Sequence, residues 1–402
     1  MEKVKLGVIR EGKQPPDRRV PLTPMNCKAL LATYPQLEIV VQTSQIRGYI
    51  DEEYTKEGIT VQEDISDCDV LMGVKEVPMA DLVPGKKYFF FSHTIKEQPY
   101  NKKLLKTILD KKIQLIDYEC LTYSAGMRII GFGRYAGIVG AYNAMIGYGK
   151  KTGLYDLKPA HECRDLADML QELAAVELHN IKIVLTGEGR VGKGAKEIME
   201  AMNVQKVSPE DYLNKTFDHP VFCQLGVMQY NRHKEGLEKD NKYFYKNPKE
   251  YESCFLPYTE QSDVFVSCHF WDPNSPRLFE KDQVESPKFN IKVIADITCD
   301  IEGSIPTTLA PSTIKDPFYG YNPQSHQVGD AFSNGNITVM AVDNLPCELP
   351  RDASEGFGND LLKSVLPHLL GGDTEGIIQN ASITKDGELT EKYKYLNDYA
   401  NC

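Results

Sequence analysis

The sequence of 402 residues lacks several features that would assign it to a specialised class of protein. No apolar run approaches the roughly 18 residues that a membrane-spanning helix needs, so we expect no part of the chain to cross a bilayer. Basic residues are outnumbered, with 46 Lys and Arg against 57 Asp and Glu, and the net charge of −11 argues against a nucleic-acid partner. The amino terminus has no apolar stretch flanked like a signal peptide, which predicts a cytoplasmic protein.

The ten cysteines are scattered along the chain, and no two of them form a C-x-x-C pair. A disulfide framework is typical of short secreted chains, and zinc sites need closer ligand spacing than this sequence offers. We therefore expect free thiols in a reducing compartment and no bound metal. With 41% hydrophobic and 26% charged residues, the composition is that of a globular protein of two or three domains.

Short apolar runs alternate with helix-period segments along much of the chain. Over residues 1–135 this alternation predicts parallel βαβ units, and hence one α/β domain. The small-residue run GRYAGIVGAYNAMIGYGKK follows and predicts a buried helix; a membrane anchor is less favoured because the run is short and contains Asn143. Further strands predict a second α/β sheet, with a polar excursion from it at about 208–260.

Gly187, Gly189 and Gly192 form a G-x-G-x-x-G pattern directly after the apolar strand IKIVLT and at the start of a predicted helix. The first glycine would allow a tight turn, the second would let a pyrophosphate approach, and the third would let the helix pack closely on the strand. The pattern predicts a dinucleotide-binding turn that includes Arg190 and Val191. The alternative is a tight strand-to-helix turn that binds no ligand.

The acid that holds the ribose 2′-hydroxyl of NAD usually follows the second strand, about 20 residues after the turn. Here Val204–Ser208 contains no carboxylate, and the first acid is Glu210. Lys206 or Ser208 would instead help to hold a 2′-phosphate. The sequence therefore favours NADP(H) over NAD(H), while an acid displaced by two residues would still suit NAD(H).

Lys75, His93 and Glu119 each follow a predicted strand of the first domain. Ligands of open α/β sheets bind at the carboxyl ends of the strands, so these side chains are candidates for acid–base chemistry. The alternative for each is an ordinary ion pair or a hydrogen-bonded histidine. Three arginines are candidate clamps for substrate carboxylates, namely Arg18, Arg19 and Arg128. A guanidinium fork suits a bidentate carboxylate.

Several longer motifs resemble the alanine dehydrogenase/saccharopine dehydrogenase superfamily: DRRVPLTP, GVKEVP, FFSHTIKEQ, LIDYE, GFGRYAG, ADITCDIEGSI and VDNLPCELPRDAS. Within it, FFSHTIKEQ, KVSPEDY and the PYTE and PRL segments are most similar to lysine–2-oxoglutarate reductases. Such a reductase shares its reaction with lysine-forming saccharopine dehydrogenases and forms the amino-terminal half of bifunctional aminoadipate semialdehyde synthases. The resemblance implies two Rossmann-like α/β lobes with a deep cleft between them. Residues 1–135 and 345–402 would form the substrate lobe, and 136–344 the dinucleotide-binding lobe.

The resemblance also implies a reaction, the reversible NAD(P)-dependent condensation of L-lysine with 2-oxoglutarate to saccharopine through an imine. By motif match, Lys75 and His93 correspond to the acid–base pair of the family. Which of the two residues performs which proton transfer is not assigned. Glu119 corresponds to the carboxylate that tunes their acid strength. Four further residues fall on substrate-binding positions of the family, namely Arg18, Arg19, Arg128 and Asp300.

Three alternatives differ from this interpretation. The same chemistry on another amine and 2-oxo acid, of the alanine dehydrogenase or opine type, would keep the whole site. A non-catalytic dinucleotide-binding regulator is disfavoured because Lys75, His93 and the arginines are all present. A structural metal protein lacks the ligand spacing. Since no second dehydrogenase follows within these residues, the enzyme would pass its product to a separate saccharopine-cleaving dehydrogenase or run in the lysine-forming direction. No oligomeric state follows from the sequence.

Overall fold

A computed structural model of the chain describes residues 3–14 and 16–401. The chain folds into two compact units, one of Met1–Phe132 with Pro350–Cys402 and the other of Gly133–Leu349. Cys402 lies outside the described residues, and the cysteines within them are free thiols.

Strands and helices alternate along most of the described chain, and each kind is numbered from the amino terminus. The strands are β1 (Val4–Val8), β2 (Leu37–Gln42), β3 (Thr60–Gln62), β4 (Val70–Met72), β5 (Lys87–Phe90), β6 (Gln114–Asp117), β7 (Lys182–Thr186), β8 (Gln205–Lys206), β9 (Val221–Leu225), β10 (Asn231–His233), β11 (Tyr251–Ser253), β12 (Val264–Ser267), β13 (Val293–Asp296), β14 (Phe318–Asn322), β15 (Gln327–Gly329), β16 (Ile337–Met340), β17 (Thr384–Lys385) and β18 (Glu388–Leu389). The helices are α1 (Pro24–Thr33), α2 (Asp51–Lys56), α3 (Lys102–Asp110), α4 (Gly133–Thr152), α5 (Leu166–Ala174), α6 (Arg190–Ala201), α7 (Pro209–Asn214), α8 (Val227–Tyr230), α9 (Asn241–Lys246), α10 (Leu256–Gln261), α11 (Lys281–Val284), α12 (Pro350–Ser364), α13 (Leu366–Gly371), α14 (Ile377–Ala381) and α15 (Asn397–Asn401).

The sheet of the first unit has parallel strands in the order β3-β2-β1-β4-β5-β6. This is the strand order of a Rossmann fold, in which the chain builds outward from β1 to one edge and then returns to build toward the other. Loops that follow β1 and β4 lead to opposite faces of such a sheet, so a crevice lies at the carboxyl ends of these two strands. The α/β class predicted from the sequence is confirmed.

The carboxy-terminal segment completes the core of the first unit. In α12, the ring of Phe357 stacks on Phe132 with the centroids 4.5 Å apart. Beyond it, the backbone N–H of Ile383 donates to the carbonyl of Leu115 at 2.8 Å, and the Leu115 N–H donates to the Thr384 hydroxyl at 3.1 Å. The outer strand β6 is therefore covered by a segment that is distant in sequence.

The sheet of the second unit has the order β15-β14-β16-β13-β12-β7-β9-β8. Its strands are parallel except for β14 and β15. The sequence places Val204–Ser208 at the end of the second strand and a polar excursion at about 208–260. In the structure β8 does belong to this sheet, but β9 pairs directly with β7 and leaves β8 at the edge, so one strand of the 208–260 segment lies within the sheet. The strand β9 is only five residues long and lies between polar segments, so the sequence pattern does not identify it.

The buried helix predicted between the two domains is α4, and it packs against α6 through glycines on both helices. A Cβ atom on Gly137 would lie 1.9 Å from the carbonyl oxygen of Val191, and one on Gly194 would lie 1.9 Å from that of Arg134. Only glycine permits this approach of two backbones. None of the helices in the described part of the chain combines the length and the apolar character that a bilayer crossing requires.

Candidate active site and dinucleotide turn

Lys75, His93 and Glu119 follow the carboxyl ends of three neighbouring strands of the first unit, β4, β5 and β6, as the sequence predicts. Because these strands are parallel, their carboxyl ends meet at one edge of the sheet. The fold therefore brings all three residues to the edge where ligands of such sheets bind.

The carboxylate that pairs with His93 is Glu76, which was not among the residues singled out from the sequence. Oε1 of Glu76 lies 2.7 Å from His93 Nδ1, and Oε2 lies 2.7 Å from Lys13 Nζ. Burial favours the protonated carboxyl, but the hydrogen bonds from His93 and Lys13 outweigh it and lower the pKa of Glu76 to about 2. The sequence offered one signal, an acid directly after the candidate base Lys75.

Glu119 forms ion pairs with Lys96 and Arg128, whereas the sequence suggests that it acts on Lys75 and His93. Its Oε1 atom accepts from Lys96 Nζ at 3.0 Å and from an Arg128 guanidinium nitrogen at 3.5 Å. Its Oε2 atom is buried and has no hydrogen-bond partner among the described residues. That oxygen is an acceptor available to a ligand, because a buried carboxylate oxygen is costly to leave unpaired.

Asp117 connects the loops that carry His93 and Glu119. One carboxylate oxygen accepts from the backbone N–H of Ser92 at 2.9 Å and from the Ser92 hydroxyl, and the other accepts from the Glu119 N–H at 2.7 Å. Complete burial raises the pKa of the Asp117 carboxyl, and these hydrogen bonds oppose that rise. The residue holds two candidate catalytic loops in a fixed arrangement.

Glu11 follows β1 and occupies the crevice position between β1 and β4. Its two carboxyl oxygens accept from the backbone N–H groups of Val74 at 2.6 Å and of Lys75 at 2.9 Å, so Glu11 fixes the backbone at Lys75. Burial, and then repulsion by Asp17, raise the pKa of the Glu11 carboxyl to about 8. A protonated carboxyl next to the candidate acid–base residues follows at neutral pH.

The arginines predicted as carboxylate clamps occupy different environments. Arg19 is buried, and its guanidinium fork holds Asp17 with Nε at 3.0 Å and a terminal nitrogen at 2.6 Å. It also lies over the ring of Phe132, 4.2 Å from the centroid. Arg18 is exposed and donates from Nε to the carbonyl of Ile46 at 3.3 Å. Arg128 is 45% exposed. Their role as clamps stays a prediction.

The three glycines of the turn meet the distinct requirements that the sequence pattern predicts. Gly187 has φ of +92° and a Cβ there would lie 2.6 Å from the carbonyl oxygen of Cys268, so both backbone and space demand glycine. A Cβ on Gly192 would lie 2.1 Å from the carbonyl oxygen of Gly187, which is close helix–strand packing. A Cβ on Gly189 would meet no atom within 4 Å, so this side of the turn is open.

The helix α6 begins at Arg190, directly after Gly189. Its first backbone N–H groups lack partners within the helix and therefore suit an anion. Lys206 lies in the edge strand β8, and the Ser208 hydroxyl accepts from the backbone N–H of Asp211 at 3.1 Å as the N-cap of α7. Because β9 lies between β7 and β8, neither residue is at the end of the strand next to β7.

Two further polar groups follow strands of the second unit. His269, directly after Cys268, is buried, with Nδ1 2.8 Å from the Thr186 hydroxyl and Nε2 3.0 Å from the Ser304 hydroxyl. Burial lowers the pKa of His269 to about 4, so the imidazole is neutral at neutral pH. Asp300 lies on an exposed loop after β13. Within the described residues, no group of three His, Cys, Asp or Glu side chains is arranged to hold a metal ion.

The fold is α/β with mostly parallel, Rossmann-like sheets, and it is similar to that of an alanine dehydrogenase. Residues 7–139 match the family model described as "Alanine dehydrogenase/PNT, N-terminal domain". Among solved structures, the chain superposes on an L-alanine dehydrogenase with a TM-score of 0.65 and 15% identity, covering 99% of this chain and 100% of that one. A transhydrogenase from Sinorhizobium meliloti gives a TM-score of 0.61 and 14% identity, over 96% and 100%.

The proteins that are similar in sequence have more specific names than the structural neighbours. The chain is 30% identical over 445 residues to alpha-aminoadipic semialdehyde synthase, mitochondrial, of Bos taurus, covering 98% of this chain and 48% of that protein. It is 26% identical over 379 residues to saccharopine dehydrogenase [NAD(+), L-lysine-forming] of Emericella nidulans, covering 89% and 90%. The chain thus spans about half the length of the synthases it matches. The resemblance to this superfamily that the motifs predict is confirmed by these matches.

Proposed function

We propose that the chain is an oxidoreductase of lysine metabolism that interconverts L-lysine and 2-oxoglutarate with saccharopine, using a nicotinamide dinucleotide. The observation that supports this most is the hydrogen bond between His93 and Glu76 at the sheet edge that also carries Lys75 and Glu119. An alignment over 89% of the chain with a protein named for this reaction supports it independently.

The proposed reaction needs proton transfers that the first unit is equipped to perform. A base takes the proton from the secondary amine of saccharopine, and a bound nicotinamide dinucleotide would supply the hydride acceptor. Water then adds to the imine carbon, and the departing amine of lysine takes a proton as the carbon–nitrogen bond breaks. The balanced products are lysine, 2-oxoglutarate, the reduced dinucleotide and one proton. Lys75 and His93 are side chains of the right kind for these transfers.

Glu76 orients His93 for such a step. An ionised carboxylate only accepts hydrogen bonds, so Nδ1 of His93 carries the proton in their contact and Nε2 is the nitrogen that exchanges a proton with the substrate. Arg128, with Arg18 and Arg19, is proposed to bind the substrate carboxylates, and Asp300 to lie near the nicotinamide. The substrate lobe is the unit that carries Lys75, and the dinucleotide lobe is the unit with the glycine turn.

The dinucleotide is proposed to bind on the glycine turn of the second unit. Its pyrophosphate would contact the open side at Gly189 and the first N–H groups of α6, from Arg190 and Val191. The absence of an acid in Val204–Ser208 favours NADP(H), whereas the position of Glu188 within the turn, between Gly187 and Gly189, favours NAD(H). Cytoplasmic location and a separate saccharopine-cleaving partner stay predictions from the sequence.

The second candidate is the same chemistry on another amine and 2-oxo acid. The match of residues 7–139 to a domain named for alanine dehydrogenase supports it, because this range includes Lys75 and His93. Ammonia with pyruvate is then the first substrate pair to compare.

The test is a coupled-substrate assay that follows oxidation of the reduced nicotinamide by its absorbance. Lysine and 2-oxoglutarate are added singly and together, with NADH and with NADPH. The proposal expects oxidation only when both substrates are present. Protein that binds a dinucleotide but does not oxidise it when both substrates are present would contradict the lysine reaction. Oxidation with ammonia and pyruvate instead would establish the second candidate.

A further inference from the structure

The strand order of the second unit moves the position at which a dinucleotide-binding sheet recognises the adenosine ribose. In such folds the ribose lies over the carboxyl end of the strand next to the glycine-turn strand. Here that neighbour is β9, with Leu225 paired to Thr186 and its carbonyl accepting from the Gly187 N–H at 2.8 Å. The ribose position is therefore at Leu225 and Gly226, and not after β8.

An acidic side chain lies at this position. A Cβ atom on Gly226 would lie 2.5 Å from Oε2 of Glu188, so the carboxylate rests directly against the backbone at the end of β9. Glu188 itself is the residue between the first two glycines of the turn, and it is exposed. Its carboxylate thus occupies the place of the acid that the sequence lacks after its second predicted strand.

The cations expected to hold a 2′-phosphate lie elsewhere. Lys206 pairs with Phe222, three residues before the end of β9, which is about 10 Å short of the ligand-binding edge at about 3.3 Å per residue. The Ser208 hydroxyl caps α7. Arg190 directly follows the open glycine, Gly189, and begins α6, a position suited to the pyrophosphate.

We propose that Glu188 recognises the 2′-hydroxyl of the adenosine ribose, so that the turn selects NAD(H) over NADP(H). The inference rests on the proposed function only in requiring that the chain binds a nicotinamide dinucleotide. A carboxylate accepts a hydrogen bond from a 2′-hydroxyl, whereas a 2′-phosphate at the same place brings like charges together.

The experiment measures the dissociation constants of NADH and NADPH for the full chain by fluorescence titration. We expect the wild-type protein to bind NADH at least about tenfold more tightly than NADPH, which corresponds to a difference of about 1.4 kcal/mol. Glu188→Gln should reduce this ratio at least about tenfold, mainly through tighter binding of NADPH. Glu177→Gln, at another exposed acid of the same unit, makes the same change of charge and should leave the ratio unchanged.

Four results would overturn the inference. Equal or tighter binding of NADPH by the wild-type protein, or an unchanged ratio in Glu188→Gln, would contradict it while leaving the proposed function intact. A loss of affinity for NADPH alone in Arg190→Gln would assign the 2′-phosphate to Arg190 instead. Failure of the folded wild-type protein to bind either dinucleotide would contradict the proposed function and this inference together.

Discussion

The Nδ1 atom of His93 lies 2.7 Å from one carboxylate oxygen of Glu76, whose other oxygen lies 2.7 Å from Lys13 Nζ. This geometry orients the imidazole, since the ionised carboxylate accepts the Nδ1 proton and leaves Nε2 for exchange. Activated proton-transfer sites generally contain a base that a neighbouring group orients, as Glu76 orients His93 here. The pair lies at the carboxyl edge of the first sheet, where Lys75 also projects.

Removal of either candidate acid–base group should stop proton transfer and leave the dinucleotide turn intact. We expect Lys75→Met and His93→Gln each to lower turnover by about 10²-fold or more, the usual effect of losing a general acid or base. Steady-state kinetics measure turnover, and fluorescence titration measures dinucleotide affinity, which should stay unchanged. Lys103→Met, at an exposed lysine of α3, is the matched control. Near-normal turnover in a variant would exclude an acid–base role for that residue.

Arg128 should act on the oxo acid and not on the dinucleotide. Its guanidinium lies 3.5 Å from Glu119 and is 45% exposed, so it is accessible to a substrate carboxylate. We expect Arg128→Ala to raise the KM for the oxo acid by about tenfold, the scale of a lost charge-assisted hydrogen bond. Arg164→Ala, at a guanidinium that is 85% exposed, should leave the KM values unchanged. A change confined to the KM for the dinucleotide would contradict the clamp assignment.

Substitutions of the second and third glycines of the turn should have different effects, one on dinucleotide binding and the other on stability. Gly189→Val should abolish dinucleotide binding, because its side chain would enter the open space that a pyrophosphate needs. Its loss of stability should be small, about 1 kcal/mol, the scale of a less favourable N-cap residue. Gly192→Val should destabilise the unit itself, because a Cβ there meets the Gly187 carbonyl at 2.1 Å. Thermal unfolding and fluorescence titration of both variants separate the two effects. Unchanged dinucleotide affinity in Gly189→Val would rule out the phosphate-binding role.

Glu11 should give the folded protein a distinctive dependence on pH. Its pKa rises from 4.5 to about 8 on folding, so between these values the folded chain binds a proton that the unfolded chain has released. The stability that this proton contributes is fully present below the pKa of the unfolded chain, 4.5. It is lost as the pH rises through the pKa of the folded chain, about 8. The free energy of unfolding then falls with pH by at most about 1.4 kcal/mol per unit.

The measurement is chemical denaturation at several pH values between these two limits. Glu11→Gln cannot titrate at this position, so its unfolding free energy should fall less steeply with pH than that of the wild-type protein. Glu52→Gln, at an exposed acid of α2, should keep the wild-type slope. If Glu11→Gln and the wild-type protein share one slope, Glu11 does not hold the extra proton.

The elements that could be predicted from the sequence are those specified by local patterns. The strands that precede Lys75, His93 and Glu119 are short apolar runs, and each of the three residues follows its strand as expected. The glycine turn was recognisable because Gly187 needs a positive φ and Gly192 a close helix approach, both of which act within a few residues. The buried helix α4 was evident from its small residues.

The features that could not be predicted depend on contacts between distant residues. Pairing of β9 with β7 joins segments separated by α6, β8 and α7, and nothing within the five residues of β9 specifies that partner. The contact of Glu76 with His93 likewise depends on the adjacency of two strands. The sequence motifs therefore point to Glu119, whereas the pairing of Glu76 with His93 is visible only in the fold.

The division of the first unit between two chain segments affects the order in which the protein can fold during synthesis. The second unit is continuous, from Gly133 to Leu349, and is complete when its last residue leaves the ribosome. At that moment the first unit still lacks Phe357, which stacks on Phe132, and Ile383, which pairs with Leu115. The sheet that carries the candidate acid–base residues therefore reaches its final packing last, although most of it is translated first.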